Sequence, residues 1–225
     1  MNLKNKVVLV TGGSRGIGAS ICKDFSKKGC KVVVCYKNDE LSANKVVGLC
    51  NKDSFSLKLD VCSDSSIKNC VDFLLKKNLQ VDILVNNAGV IRWKRFENQS
   101  FDDLNDQVFS NFLGLMKNTL SFLPFLKQKK SAIILNISSI AAEYAPEELA
   151  PYSGTKAAVK VFTKALSKEL PDNIKIYGVS PGLTSTDMTN HKGVSPEKVS
   201  KVVIGVCSGD IFLESGADID VRNHY

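Results

Sequence analysis

Short β-branched and apolar runs alternate with longer segments of helical period along the whole chain. In the longer segments apolar residues recur at every fourth position, as do Ile17, Ile21 and Phe25, which is typical of amphipathic helices. This alternation predicts an α/β fold with a doubly wound parallel sheet of about seven strands and helices on both faces. No linker, repeat or low-complexity segment interrupts it, so we expect a single domain over residues 1–225. The predicted strands are Val7–Val10, Lys31–Cys35, Phe55–Leu59, Ile83–Val85, Ala132–Ile137, Ile174–Val179 and Ala217–Val221.

Composition and charge exclude several classes of protein. The 225 residues are 44% hydrophobic and 24% charged, which is typical of a globular chain and excludes extensive disorder. The net charge is +7, but the basic residues are scattered without interleaved aromatics, which argues against nucleic acid as a partner. No apolar run approaches the ~20 residues that cross a bilayer, so we expect no membrane partner.

Cysteine and histidine usage bears on location and on metal binding. The seven cysteines are an odd number, form no Cys-x-x-Cys pair and lie mostly in apolar stretches, so they resemble small buried hydrophobic residues. Such cysteines fit a reducing compartment, and we predict a cytoplasmic protein. Only two histidines are present, which argues against a metal site.

A glycine-rich segment, Thr11–Gly18, follows the first predicted strand and opens the first predicted helix. Glycines there allow a tight turn and a close approach of the backbone to a pyrophosphate, while the helix N-terminus supplies free N–H groups. The spacing is Gly-x-x-x-Gly-x-Gly, and alone it could equally be a plain strand-to-helix turn. The candidate cofactor-binding residues of this segment are Gly12, Ser14, Arg15, Gly16, Ile17 and Gly18.

The end of the second predicted strand indicates which dinucleotide would bind. A carboxylate there would hold the ribose hydroxyls of NAD, whereas cations accommodate the extra phosphate of NADP. Tyr36 takes the position of the acid, Lys37 follows it, and Arg15 can reach the same region. Asp39 and Glu40 lie nearby, but we interpret them as capping the next helix. We therefore predict NADP(H) as the cofactor, with NAD less favoured.

Tyr152 and Lys156 stand at positions i and i+4 of a predicted helix and so share one face. A nearby ammonium stabilises phenolate, so we expect Lys156 to lower the pKa of Tyr152 from its usual value of about 10. The tyrosine could then exchange a proton with a carbonyl or alcohol oxygen near neutral pH. Ser139 lies thirteen residues earlier, at the end of a predicted strand, where its hydroxyl could bind the substrate oxygen.

Together these residues resemble the short-chain dehydrogenase/reductase family. The matching positions run in family order and spacing from residue 7 to about residue 188. They are the glycine turn (Gly12, Gly16, Gly18), Asp60-Val61, Asn86 to Gly89, Asn111, Ser139, Tyr152, Lys156, Pro181-Gly182, Thr186 and Met188. The resemblance implies a Rossmann fold and hydride transfer between NADP(H) and a carbonyl or secondary alcohol. Among family branches the sequence is most similar to the β-ketoacyl carrier-protein reductases.

The resemblance also implies a role for each matching position. Tyr152 would be the acid/base, and Lys156 would lower its pKa and hold the nicotinamide ribose. Ser139 would orient the substrate carbonyl, since it has the family spacing that its rival Ser138 lacks, and Asn111 would complete a proton relay through water. The implied cofactor contacts are Asp60 and Val61 at the adenine, Asn86, Asn87, Ala88 and Gly89 along the adenosine and ribose, and Pro181, Gly182, Thr184 and Thr186 at the carboxamide.

Two alternatives compete with this interpretation. Residues 178–182 match the Gly-x-Ser-x-Gly elbow of serine hydrolases, but Pro181 lacks the N–H that the oxyanion hole requires after the serine. The second alternative keeps the fold and discards the chemistry, as a catalytically silent NADP-binding sensor or scaffold. Against it, all four catalytic positions carry the residue types that the reaction needs.

The C-terminal part departs from the family pattern because only residues 181–225 follow the last catalytic segment. Ser195 and Pro196 are typical of a helix start, which leaves little chain for a lid. We therefore predict a shortened substrate lid and an open mouth, suited to a small-molecule or carrier-borne carbonyl substrate. Residues 143–151 are expected to form part of the substrate wall.

Apolar residues beyond one face of the helices that carry Asn111 and Tyr152 favour a homodimer or homotetramer, as the resemblance also implies. The residues in question are Leu115, Phe122, Phe125, Val159 and Phe162, and the alternative is that they belong to a thicker core.

Overall fold

The computed structural model describes residues 1–224, and within them seven strands form one all-parallel sheet in the order β3-β2-β1-β4-β5-β6-β7. The predicted α/β fold is confirmed, and each predicted strand agrees with the structure to within one residue at either end. This agreement follows from short apolar runs that are covered by helices on both sheet faces. The strands are β1 Val7–Val10, β2 Lys31–Tyr36, β3 Phe55–Lys58, β4 Ile83–Asn86, β5 Ala132–Ile137, β6 Ile174–Ser180 and β7 Asp218–Asp220.

Helices connect the strands on both faces of the sheet. They are α1 Gly16–Lys27, α2 Glu40–Val47, α3 Asp64–Lys76, α4 Phe101–Val108, α5 Gly114–Lys127, α6 Ala141–Tyr144, α7 Ala150–Leu166 and α8 Pro196–Ser208. A π-helical turn, Phe109–Leu113, joins α4 directly to α5. Asp39 caps α2 by accepting a hydrogen bond from the Ser42 N–H at 2.9 Å, as the sequence predicts. No helix among residues 1–224 is long and apolar enough to span a membrane.

The core has two layers, one between the sheet and α1 with α8, the other between the sheet and α3 with α5. Four of the five residues considered for a subunit interface are buried within this single chain: Leu115, Phe122, Phe125 and Val159. Their interpretation as interface residues is wrong, because periodicity marks an apolar face without showing what covers it. Phe162 packs edge-on against Phe112, with ring centroids 6.2 Å apart.

A buried set of amides links β4 and β5 to the helices above them. The Asn86 Nδ2 group donates to Thr119 Oγ1 and to Asn136 Oδ1, each at 2.9 Å, and Asn86 Oδ1 accepts from Asn118 at 2.8 Å. Asn136 in turn donates to Thr163 Oγ1 at 2.8 Å. Asn86 therefore has its side chain in the core and does not line the cofactor groove, which corrects its expected role.

The segment between β6 and α8 is short, as the sequence predicts. Its regular structure consists of a three-residue 3-10 helix, Asp187–Thr189, and an isolated parallel bridge between Thr184 and Val194. The bridge draws the two ends of the segment together, with Val194 N–H donating to the Leu183 carbonyl at 3.0 Å. Ser195 occupies the N-cap position of α8 without a side-chain capping bond. The shortened lid is therefore confirmed.

Candidate active site

The candidate site lies at the carboxyl ends of the central strands. Strand order reverses between β1 and β4, and in a doubly wound sheet ligands bind outside the carboxyl ends at this reversal. The glycine turn follows β1, residues 87–89 follow β4, Ser139 follows β5 and Pro181 follows β6. The fold thus gathers segments from distant parts of the sequence around one crevice.

The glycine turn brings two backbones closer than side chains would permit. Gly12 has a φ of +61°, and a Cβ there would lie 3.1 Å from the Ala88 Cα. A Cβ on Gly18 would lie 2.3 Å from the Gly12 carbonyl oxygen, and one on Gly16 would lie 3.0 Å from Thr186. The first turn of α1 holds no acidic residue and no side-chain cap, so its N–H groups remain available to an anion. This cradle fits the pyrophosphate of a dinucleotide.

Thr11 and Asn87 brace the cradle from below. The buried Thr11 hydroxyl accepts hydrogen bonds from the Asn87 and Ala88 N–H groups at 2.9 and 3.0 Å. The Asn87 side chain donates to the carbonyls of Thr11 and Gly12 at 2.9 and 3.1 Å. Thr11 was not among the expected site residues, because its partners are more than seventy positions away and no local pattern marks them.

At the adenosine end, both candidate cations are engaged with carboxylates of this chain. Lys37 Nζ lies 3.1 Å from Asp60 Oδ2, and this hydrogen bond raises the pKa of Lys37. Arg15 Nη1 lies 3.7 Å from Asp187 Oδ2, in the short lid. The two side chains are 56% and 73% exposed, so either can turn toward a phosphate. Burial and a hydrogen bond to Glu40 raise the pKa of Tyr36.

The residues expected at the adenine and at the carboxamide occupy different environments. Val61 is buried, and its side chain would be 2.9 Å from a Cβ on Gly114, so it packs in the core beside Asp60. Thr184 is also buried and donates to the Gly182 carbonyl at 2.9 Å. Thr186 stands against Gly16 across the crevice. The structure therefore brings the lid segment to the glycine turn, as a shared cofactor would require.

The structure brings Ser139, Tyr152 and Lys156 together at the end of β5. Ser139 is close enough to the Tyr152 hydroxyl to lower its pKa, and Lys156 Nζ lies 5.7 Å from the centroid of the Tyr152 ring. Lys156 Nζ donates to the Ile137 carbonyl at 2.8 Å. The rival Ser138 is buried and donates to the Lys156 carbonyl at 3.0 Å, so its hydroxyl braces α7 and is not directed at a substrate.

The pKa values correct one expectation. Desolvation raises the pKa of Tyr152 to about 12, and the hydrogen bond from Ser139 offsets only part of this rise. Burial lowers the pKa of Lys156 to about 8. Lys156 does not lower the pKa of Tyr152 here, because its ammonium is directed at the Ile137 carbonyl and burial disfavours both charged forms.

Asn111 lies in the π-helical turn, and its side-chain amide is fully used. Its Oδ1 accepts from the Val90 N–H at 2.7 Å, while its Nδ2 donates to the Val90 carbonyl at 2.9 Å and to Thr155 Oγ1 at 3.1 Å. A water relay through Asn111 would therefore have to use its backbone carbonyl. Helical π-turns often occur at functional sites, where they disturb the regular ladder of backbone hydrogen bonds.

The structure also bears on the remaining expectations. Ser180, in the hydrolase-like motif, is buried and donates to Asp218 Oδ2 at 2.6 Å, so it is not an exposed nucleophile. Residues 145–148 line a cavity of about 730 Å³, but its α7 face is formed by Ala150, Ser153, Gly154 and Ala157. These residues lie on a different helix face from Tyr152, at about 100° per residue. The wall formed by residues 145–148 is thus not directly above the Tyr152 hydroxyl.

Comparison with known proteins gives a consistent result. The family model for short chain dehydrogenases matches residues 6–196. A 3-oxoacyl-(acyl-carrier-protein) reductase of Chlamydia pneumoniae is 35% identical over 194 residues, covering 84% of this chain and 78% of that protein. A cyclopentanol dehydrogenase of Comamonas testosteroni is 28% identical and covers 99% of this chain and 98% of its own length.

Solved structures agree with the sequence comparison. A 3-ketoacyl-(acyl-carrier-protein) reductase from Brucella melitensis, complexed with NADH, superposes with a TM-score of 0.91 at 28% identity and 97% coverage of both chains. A landomycin C-6 ketoreductase with bound NADP and rabelomycin superposes with a TM-score of 0.89 at 25% identity, covering 98% of this chain and 96% of its own. The resemblance noted in the sequence is thus confirmed. The chain belongs to the short-chain dehydrogenase family and is an oxidoreductase of that family.

Proposed function

We propose that the protein transfers hydride between NADP(H) and a carbonyl or secondary-alcohol substrate, as a reductase that also runs in reverse. The observation that carries this proposal is the meeting of Ser139, Tyr152 and Lys156 beside the glycine cradle. A proton donor and a nucleotide-binding cradle on one crevice are what carbonyl reduction requires. Related proteins with NADH or NADP in their crystals support a nicotinamide cofactor.

The glycine cradle and the α1 N-terminus would hold the pyrophosphate. Asp60 would contact the adenine, with Val61 behind it, and Asn87, Ala88 and Gly89 would follow the ribose. A Cβ on Gly89 would lie 3.0 Å from Asn111 Oδ1 and 3.7 Å from Lys156 Nζ. A glycine at this position therefore leaves room between these two side chains. The lid segment, with Pro181, Gly182, Thr184 and Thr186, would border the nicotinamide, which supplies the hydride when bound.

The side chains at the end of β5 would handle the proton. The Tyr152 hydroxyl would give its proton to the carbonyl oxygen as the carbonyl carbon is reduced, while Ser139 donates a hydrogen bond to the same oxygen. Lys156 would hold the nicotinamide ribose and counter the charge that develops on Tyr152. Burial raises the pKa of Tyr152 to about 12, which keeps its hydroxyl protonated as the donor for reduction. In the oxidation direction a bound cationic nicotinamide would lower this pKa.

NADP(H) is proposed over NAD(H) because two cations, Arg15 and Lys37, stand at the adenosine end and Tyr36 takes the place of an acid. Replacing both cations with alanine is expected to lower kcat/KM for NADPH by about tenfold to a hundredfold, since charge-assisted bonds to phosphate contribute about 1.5–3 kcal/mol. Activity with NADH should change by no more than about threefold. Steady-state assays with both cofactors measure this. Equal losses with the two cofactors would contradict the assignment.

A catalytically silent NADP-binding sensor remains the second candidate, and only turnover separates it from the reductase. The substrate is proposed to be a small-molecule or carrier-borne carbonyl compound, since relatives include reductases named for carrier-bound oxoacyl groups. A cytoplasmic location is proposed from the reduced cysteines: all seven are free in the structure.

A homodimer or homotetramer is proposed on different residues from those first considered. Val108, Phe109, Leu120 and Val161 are exposed large hydrophobic side chains on α4, the π-turn, α5 and α7. Exposed apolar residues spread over adjoining helices are typical of subunit interfaces. Sedimentation at micromolar concentration is expected to give a dimer or tetramer, and a monomer would contradict it.

A further inference from the structure

A hydrogen bond joins the two segments that flank, in sheet order, the segment that carries Ser139. Trp93 Nε1–H, in the segment that follows β4, donates to the Met188 carbonyl at 3.3 Å, in the segment that follows β6. Strand β5 lies between β4 and β6 in the sheet, and Ser139 follows β5. The contact therefore links the segments on either side of the one that carries Ser139, at the same edge of the sheet.

The segments that follow β4, β5 and β6 each carry large apolar side chains that are about half exposed. Trp93 is 47% exposed, Met188 42%, Leu183 50% and Tyr144 61%. They come from the segments that follow β4, β5 and β6, the strands at whose carboxyl ends the candidate site lies. Large exposed apolar side chains grouped at the mouth of a cleft are typical of ligand-binding surfaces.

The charged side chains of the segment that carries Trp93 are already paired within this chain. Arg92 lies 3.3 Å from Asp103 and 2.8 Å from Asp106, and Lys94 lies 2.7 Å from Asp103. These carboxylates belong to α4, and Arg95 of the same segment pairs with Glu147 at 2.7 Å. A substrate that depends on an unpaired cation for recognition finds none in this segment.

Arg222, near the mouth on the C-terminal side, is likewise held by this chain. Its guanidinium bonds to the Asp220 carboxylate, with the shortest distance 2.6 Å, and donates to the Tyr144 hydroxyl at 2.8 Å. The pair is neutral overall and fixes the Tyr144 ring as part of the wall. Arg222 is thus compensated by a carboxylate of this chain, as Arg92 and Lys94 are.

We propose that Trp93 is a specificity-determining residue for an uncharged ketone that carries a flat apolar group beside its carbonyl. The flat group stacks on the indole, Met188 and Leu183 cover its edge, and the carbonyl oxygen reaches Ser139 and Tyr152. The Met188 carbonyl fixes the indole by accepting its N–H. This inference rests on the proposed carbonyl reductase function and narrows its substrate class.

The kinetic test compares Trp93→Ala and Trp93→Phe with the unchanged protein on two ketones at saturating NADPH. The bicyclic 2-tetralone carries the flat apolar group, and the thioester acetoacetyl-N-acetylcysteamine lacks it. We expect Trp93→Ala to lower kcat/KM for 2-tetralone by about tenfold, mainly through KM, because a stacked aromatic contact is lost. Trp93→Phe should keep most of this activity, and both variants should stay within about twofold on the thioester. Equal losses on the two ketones, or no loss, would overturn the proposal.

A binding measurement separates this inference from the proposed reaction. Trp93 is the only tryptophan of the chain, so its emission reports this position alone. In the presence of NADP⁺, which cannot reduce a ketone, 2-tetralone is expected to quench the emission after correction for absorbance. Quenching without turnover of either ketone by NADPH would contradict the reductase function and leave the binding site standing. Turnover of the thioester without quenching by 2-tetralone would contradict the Trp93 assignment alone. If Trp93→Ala has a clearly lower Tm than the unchanged protein, the kinetics of Trp93→Phe and the emission titration of the unchanged protein test the proposal instead.

Discussion

Replacing Tyr152 with phenylalanine is expected to lower kcat by about three orders of magnitude while the affinity for NADPH changes by less than about twofold. The substitution removes only the hydroxyl, and the ring keeps its place beside Lys156, 5.7 Å from the ammonium. General acid catalysis by a positioned side chain contributes about 10²- to 10⁴-fold. Steady-state turnover with a ketone panel and equilibrium titration with NADPH measure the two quantities.

Tyr177→Phe is the matched control. Tyr177 is buried on β6 and packs in the core layer that contains α1 and α8, so losing its hydroxyl should leave turnover nearly unchanged. A Tyr152→Phe variant that retained a tenth of the original kcat would contradict the proposed proton donor. If the unchanged protein binds NADPH tightly and reduces no carbonyl compound, the sensor is the better description.

Replacing Lys156 with methionine is expected to have two opposite effects, loss of turnover and a gain in stability at neutral pH. Lys156 is buried, and burial lowers its pKa from 10.5 to about 8, so the folded protein carries a desolvated ammonium at pH 7. A shift of this size corresponds to a penalty on the order of 3 kcal/mol. Methionine has a similar length and no charge, although the Ile137 carbonyl then loses its donor, which costs about 1–2 kcal/mol. The net gain is about 1–2 kcal/mol, or a few degrees in Tm.

The pH dependence of this gain follows from the direction of the shift. Because the folded pKa lies below the unfolded one, the penalty is complete below pH 8 and fades as the pH rises toward 10.5. The Tm difference between Lys156→Met and the unchanged protein should therefore shrink over that window. Lys164→Met, which replaces an exposed lysine on the same helix, should shift Tm little at any pH. A Lys156→Met variant less stable than the unchanged protein at pH 7 would mean that the ammonium's bonds outweigh its desolvation.

Local patterns accounted for the strands, the glycine turn and the shared face of Tyr152 and Lys156. Each depends on residues within one element, where period and residue type decide the conformation. The burial of Phe122 and Val159 could not be predicted in this way, because an apolar helix face does not show whether sheet or solvent lies opposite. The pKa values of Tyr152 and Lys156 could not be predicted from the sequence either, because they depend on how deeply the folded protein buries these two side chains.

Long-range contacts account for the residues that the sequence did not suggest. Trp93 meets Met188 across 95 positions, and Thr11 meets Ala88 across 77. Neither residue stands in a pattern with a chemical reason of its own, so only the folded arrangement shows that they matter. The amide of Asn111 is a similar case, because the π-turn that aims it at Val90 has no marker in the sequence.

The buried amides favour one register between β4 and β5. Strands β4 and β5 are apolar on both sides, so sliding one along the other would cost little hydrophobic contact. Asn86 stands directly opposite Asn136. Any shift in register would separate the two side chains and leave several buried amide groups without hydrogen bonds, at a cost in folding free energy of about 1–3 kcal/mol each. The two asparagines therefore stabilise the observed register of β4 and β5 relative to shifted registers. Replacing both asparagines with apolar residues would keep the hydrophobic contact between the strands but weaken the preference for one register, and Ser139, just beyond β5, would then lose its fixed position.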